Sequence, residues 1–111
     1  MKIAVDFDGT LVDPSTFPTF DYKLKPNAKR VLNRLSKKGI VFYLNTARYT
    51  WYRLPAIYFI KKNKLPIITH LFNRKPQCDL YIDDSNIFCN GIDWLKIEKE
   101  ILKQMDKKCI H

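Results

Sequence analysis

Four short apolar runs, each ending in polar or acidic residues and separated by stretches of helical periodicity, constrain this chain more than any other feature it has. The first run, residues 2–7, carries Ile3, Ala4 and Val5 and stops at Asp6-Phe7-Asp8-Gly9. Residues 40–44 form the second, residues 66–71 the third, and residues 80–82 the fourth, which runs into Asp83-Asp84. Between the first and second, Ala28, Val31, Leu32 and Leu35 recur with the 3.6-residue period of a helix. That pattern ends at Gly39, just after Lys37-Lys38, where a left-handed residue and positive charge suit a helix terminus. A second helix is expected over residues 50–63, with Leu54, Ile57, Tyr58 and Ile60 on one side and Pro55 in its first turns. A third is expected over residues 94–107, with Leu95, Ile97, Ile101, Leu102 and Met105 facing the core. Residues 14–25 read as a loop, because Pro14, Ser15, Thr16, Pro18 and Thr19 crowd into it.

Strands alternating with helices predict an α/β fold, a Rossmann-like three-layer sandwich with a central parallel sheet and right-handed crossovers. The 111 residues fit one domain, residues 1–111, with no room for a separate substrate-binding domain. Ligands of such sheets bind beyond the carboxyl ends of the strands. That rule gathers Asp6 and Asp8 after the first strand, Thr46 after the second, and Asp83 and Asp84 after the fourth. Lys75 lies in the connection just before that fourth strand.

The segment Asp6-Phe7-Asp8-Gly9-Thr10 holds the most chemistry. Alternate residues of an extended segment point the same way, so both carboxylates can face one pocket. Two carboxylates that close repel unless a cation or a shared proton intervenes. Mg²⁺ answers that need, since it takes hard oxygen ligands and commonly shares its site with phosphate. Gly9 and Thr10 allow a tight turn out of the strand. Taken alone, Asp6 and Asp8 also fit a loop of solvated acids. The second acidic pair at a matching strand end favours a site.

These residues resemble the motifs of the haloacid dehalogenase-like phosphatase superfamily. Asp6-Phe7-Asp8-Gly9-Thr10-Leu11-Val12 looks like its first motif. Thr46, after Val41-Phe42-Tyr43-Leu44-Asn45, resembles its second, and Lys75 in Asn73-Arg74-Lys75-Pro76 its third. Tyr81-Ile82-Asp83-Asp84 resembles its fourth, and the four occur in the family's order. The resemblance implies a phosphohydrolase in which Asp6 is the nucleophile and forms an aspartyl-phosphate. Asp8 would protonate the leaving oxygen and then activate water. Thr46 would hydrogen-bond a phosphoryl oxygen, and Lys75 would neutralise charge, with Arg74 the alternative. Mg²⁺ would be held by Asp6, the backbone carbonyl of Asp8, and the acidic pair, with Asp84 the direct ligand and Asp83 acting through water or orienting Lys75. Substrate contacts are expected at Arg48, Gly9 and Ala47, Arg48 being equally suited to a surface ion pair. The cap domain that many relatives insert has no room here, so the site is expected to be open. A nucleic-acid end, a phosphoprotein or a neighbouring subunit would then close it.

Composition bounds the alternatives. The formal charge is +9, with Lys more frequent than Arg. It fits either a polyanionic partner or a solvated lysine-rich surface. Tyr49, Trp51 and Tyr52 beside Arg48 and Arg53 suit base stacking or a helix core. Phe17, Phe20 and Tyr22 line the site or pack beneath it, and His70 reads as structural. Cys78, Cys89 and Cys109 form no CxxC pair, and Asp6 comes too early for a signal peptide. No apolar stretch is long enough to span a bilayer. A cytoplasmic location is therefore expected. Besides a small-molecule phosphatase, the sequence allows a polynucleotide end phosphatase or a catalytically inactive binding module on the same fold. A phospho-receiver domain is disfavoured, because its phosphorylated Asp follows a middle strand rather than the first.

Overall fold

The structure, a computed structural model, describes residues 1–13, 23–46, 53–70, 77–83 and 93–109, with side chains described as far as residue 106. The elements run β1 (Lys2–Val5), α1 (Ala28–Lys37), β2 (Val41–Leu44), α2 (Leu54–Lys62), β3 (Ile67–Ile68), β4 (Leu80–Ile82) and α3 (Trp94–Cys109). The strands form one parallel sheet in the order β3-β2-β1-β4. The expected Rossmann-like α/β fold is what the chain adopts, with no cap domain among the described residues.

Register and side-chain alternation together decide how the sheet is covered. Ile3 pairs with Phe42 and Leu80, Val5 with Leu44 and Ile82, and Phe42 with Ile67. Residues opposite one another share a face. Ile3, Val5, Phe42, Leu44, Ile67 and Ile82 are all buried in one apolar cluster. The same cluster takes Ala28, Val31, Leu32 and Leu35 of α1, Ala56, Ile57 and Ile60 of α2, and Trp94, Ile97 and Ile101 of α3. Both β-α-β steps move the same way along the sheet, so right-handed crossovers set α1 and α2 on the same side. Helix α3 joins them, its Glu98 accepting two hydrogen bonds from the guanidinium of Arg34 at 2.8 and 2.9 Å. The opposite face carries Ala4, Val41, Tyr43, Ile68 and Tyr81. Ile68 is 48% exposed there, and none of the described helices contributes to it.

Helix ends obey local rules. Gly39 takes φ +94°, its N–H donates to Ser36 O, and Ile40 N–H donates to Leu35 O, which closes α1 with a glycine terminator. The same pair of bonds closes α2, but Lys64 fills the left-handed position with φ 53°. A side chain there costs about 1 kcal/mol or more relative to glycine.

Two core stripes differ from expectation. In α2, Leu54 and Tyr58 are exposed and Ala56 is buried beside Ile57 and Ile60. In α3, Leu95 is exposed, and Trp94, one residue earlier, enters the core. Strand β3 is Ile67–Ile68; of the rest of the expected 66–71 run, Pro66, Thr69 and His70 are not strand and Leu71 lies outside the described residues. No described helix is long and apolar enough to cross a membrane.

Candidate functional site

Strand β1 lies inside the sheet, flanked by β2 and β4. The ladder continues one step past its last residue. Asp6 N–H donates to Ile82 O at 2.9 Å, and Asn45 N–H donates to Val5 O at 2.9 Å. Asp6 is therefore held between the backbone of Asn45-Thr46 and that of Asp83, at the inter-strand spacing of about 4.8 Å. The carboxyl ends of three strands thus bring Asp6, Thr46 and Asp83 to one sheet edge.

Phe7 separates the two acids and anchors both. It is fully buried and meets the ring of Phe59 edge-on, with centroids 5.9 Å apart. Its carbonyl accepts from the N–H groups of Thr10, Leu11 and Val12 at 3.4, 3.1 and 3.2 Å. Gly9 N–H donates to Val12 O, and Gly9 takes φ +80°, a conformation that glycine adopts without strain. The turn that Gly9 and Thr10 were expected to allow is thus present. It leaves Asp8 half-buried, like Asp6, one residue beyond the anchored Phe7.

The chain then turns back on itself. Asp13 N–H donates to Lys23 O and Lys25 N–H donates to Leu11 O, each at 2.9 Å, and Lys25 pairs with the Asp13 carboxylate at 2.9 Å. Val12 faces Leu24 in an antiparallel bridge. Residues 23–25, expected as loop, are thus the returning arm of a short hairpin seated on the site-bearing turn. The apolar faces of Val12 and Leu24 were the available signal, diluted by the polar residues around them.

Two contacts that sequence reasoning missed fix this edge. The Trp94 indole donates through Nε1 to Thr10 O at 3.0 Å, across 84 residues of chain. Thr10 is itself fully buried, and its hydroxyl Oγ1 has no hydrogen-bond partner among the described residues. Trp94→Phe is expected to leave the Thr10 carbonyl unsatisfied as well, a loss of about 1–3 kcal/mol in unfolding free energy. Urea titration of the two proteins measures it. The second contact is Arg53, only 2% exposed. Its Nη2 donates to Thr46 O at 3.1 Å and its Nη1 to His70 O at 3.4 Å. Arg53 stood in the sequence as one of a run of surface-like aromatic and basic residues, with nothing to mark it as buried.

Of the residues expected at the site, Asp6, Asp8, Gly9, Thr46 and Asp83 lie among the described residues, at this edge. Ala47, Arg48, Lys75, its alternative Arg74, and Asp84 lie outside them, as do Tyr49, Trp51, Tyr52, Phe17, Phe20 and Tyr22. Among the described residues, no three His, Cys, Asp or Glu side chains are grouped to hold a metal ion. The expected Mg²⁺ donors are all oxygens and include the Asp8 backbone carbonyl and Asp84, so the set does not depend on a described trio of side chains. Cys78 lies at the opposite, amino edge of the sheet, just before β4. Burial pushes its thiol pKa up, Asp79 adds to the shift and Lys2 opposes it. A thiol kept protonated is a poor nucleophile.

Comparison with solved structures finds a conserved protein from Bacteroides thetaiotaomicron, 30% identical, with a TM-score of 0.75. The match covers 94% of this chain and 91% of that one. No protein-family model matches the chain, and no curated protein does.

Proposed function

This chain belongs to the same family as the conserved Bacteroides thetaiotaomicron protein, and for it we propose a Mg²⁺-dependent phosphohydrolase of the haloacid dehalogenase-like kind, acting on phosphomonoesters. One observation carries the reading: the backbone bonds from Asp6 to Ile82 and from Asn45 to Val5 set Asp6 between the Thr46 and Asp83 strand ends.

In the proposed reaction, one Asp6 carboxylate oxygen attacks phosphorus and the bond to the leaving oxygen breaks. Asp8, protonated at that stage, gives its proton to the leaving oxygen. Asp8 then takes a proton from water as that water attacks the aspartyl-phosphate, which restores Asp6 and releases inorganic phosphate. The Thr46 hydroxyl donates to a phosphoryl oxygen throughout, and Lys75 balances charge. Asp6, the Asp8 carbonyl and Asp84 would hold Mg²⁺, with Asp83 acting through water or orienting Lys75. The bound cation supplies charge neutralisation between carboxylates and phosphate. Gly9, Ala47 and Arg48 contact the substrate. A cytoplasmic location belongs to the same proposal.

Six of the 20 Lys and Arg residues lie where they give a polynucleotide end no advantage over a small phosphomonoester. Lys37 and Lys38 close α1 just before β2, and Lys61, Lys62 and Lys64 close α2 just before β3. Lys2 opens β1. These six cations therefore lie at the amino edge of the sheet, away from Asp6. The five at helix carboxyl ends match the helix dipole. A nucleic-acid end placed at Asp6 gains little from them.

A panel of phosphorylated metabolites, nucleotides and end-phosphorylated oligonucleotides, assayed with Mg²⁺, tests the proposal. Small phosphomonoesters are expected to be hydrolysed best. Release of phosphate from none of the panel overturns it in favour of a binding module. Asp8→Asn, assayed beside wild type, should lose more activity on alkyl phosphates than on nitrophenyl phosphate, because a poor leaving group needs the proton more. Equal losses on both remove Asp8 as the acid.

A further inference from the structure

Arg53 is an anomaly by ordinary electrostatics. The chain has 20 Lys and Arg residues, and Arg53 is buried to 2% exposure. Burying a cation is costly unless its donors are matched. It also stands at the N-cap of α2, where the helix dipole disfavours positive charge. Some interaction must offset both penalties, and its place in the sheet identifies one.

The β2–β3 ladder is short. Its register pairs are Phe42 with Ile67 and Tyr43 with Ile68. Beyond them the two chains run on to Thr46 and His70. The Arg53 guanidinium donates to both carbonyls, Thr46 O and His70 O. A planar fork with donors in fixed directions can bridge two acceptors where strand pairing has stopped.

We propose that Arg53 is a positioning residue, whose buried guanidinium joins the carboxyl ends of β2 and β3 and thereby fixes Thr46 for the phosphoryl group. The proposal rests on the phosphohydrolase reading for its chemistry, and on the two hydrogen bonds alone for its geometry. Arg53 need not touch the substrate. It acts through the Thr46 backbone, so its loss shows in turnover more than in substrate binding.

Arg53→Lys keeps the charge but gives up the fork. Arg53→Met gives up both. Each is compared with wild type in two measurements: amide hydrogen exchange of the peptides covering Thr46 and His70, and steady-state hydrolysis of nitrophenyl phosphate with Mg²⁺. Both variants are expected to exchange faster at those two peptides. The kcat of each should fall by about 10²-fold, the scale of a displacement near 1 Å at a reacting centre, with KM within about threefold of wild type. Unchanged exchange in folded Arg53→Lys overturns the proposal whatever happens to turnover. Faster exchange with kcat intact overturns it as well, because the bridge then fixes nothing the reaction needs. Should Arg53→Met not fold, Arg53→Lys decides alone. A wild-type protein that hydrolyses no phosphomonoester removes the phosphohydrolase reading, and exchange then still decides whether Arg53 joins the two strand ends.

Discussion

Asp6→Asn is expected to fold like wild type and to hydrolyse aryl phosphates at no measurable rate. The substitution preserves shape and keeps the backbone bond from residue 6 to Ile82 O that seats it beside β4. What it removes is the negative charge and the lone pair that attack phosphorus in the proposed reaction. A carboxamide oxygen does not replace them. Removing the nucleophile of a covalent mechanism costs about 10⁴-fold or more in turnover. Phosphate release, thermal unfolding and mass measurement of acid-quenched protein check the three parts of the expectation. Wild type quenched during turnover should carry one added phosphoryl group, and Asp6→Asn none. A folded Asp6→Asn protein that still turns over takes Asp6 out of the reaction.

Removal of divalent cation is the other large effect. Excess chelator should abolish hydrolysis, and added Mg²⁺ should restore it in full. Mg²⁺ without substrate should also raise the unfolding midpoint. A ligand bound only by the folded state and present at a hundred times its Kd adds about 2.7 kcal/mol. The physical source is relief of repulsion among carboxylates that the sheet brings to one edge. Asp6→Asn should show a smaller rise, because one repelling charge is gone and one donor is weakened. Full activity in chelator, or an unfolding midpoint indifferent to Mg²⁺, contradicts the assignment of Mg²⁺ to this edge.

Strand β1 and its acidic end were readable in the sequence because both signals are local. Three apolar residues followed by Asp6-Phe7-Asp8-Gly9 combine a buried strand with a turn, and the structure has both. The α1 stripe was readable for the same reason, since Ala28, Val31, Leu32 and Leu35 are apolar at helical spacing and all are buried. In α2 the signal misled. Leu54 and Tyr58 are larger side chains than Ala56, yet Ala56 is the one buried, because it shares a helix face with Ile60. Arg53 and the Trp94–Thr10 bond were not readable, because each is defined by partners far away in sequence or by a strand end whose position needs the fold. Strand β3 proved shorter than its apolar run, and Thr69 and His70 lie past its last register pair, where Arg53 bonds the His70 carbonyl.

The lengths of the outer strands bear on how the molecule behaves in concentrated solution. The inner strands β1 and β2 have four residues each, whereas β4 has three and β3 only two. An outer strand exposes unpaired backbone groups on which another chain can template, and the hazard grows with its length. Two residues offer too few such groups to nucleate sheet extension from one molecule to the next. Among the described residues, the apolar Ile68, 48% exposed, thus lies on a strand with little backbone to extend from.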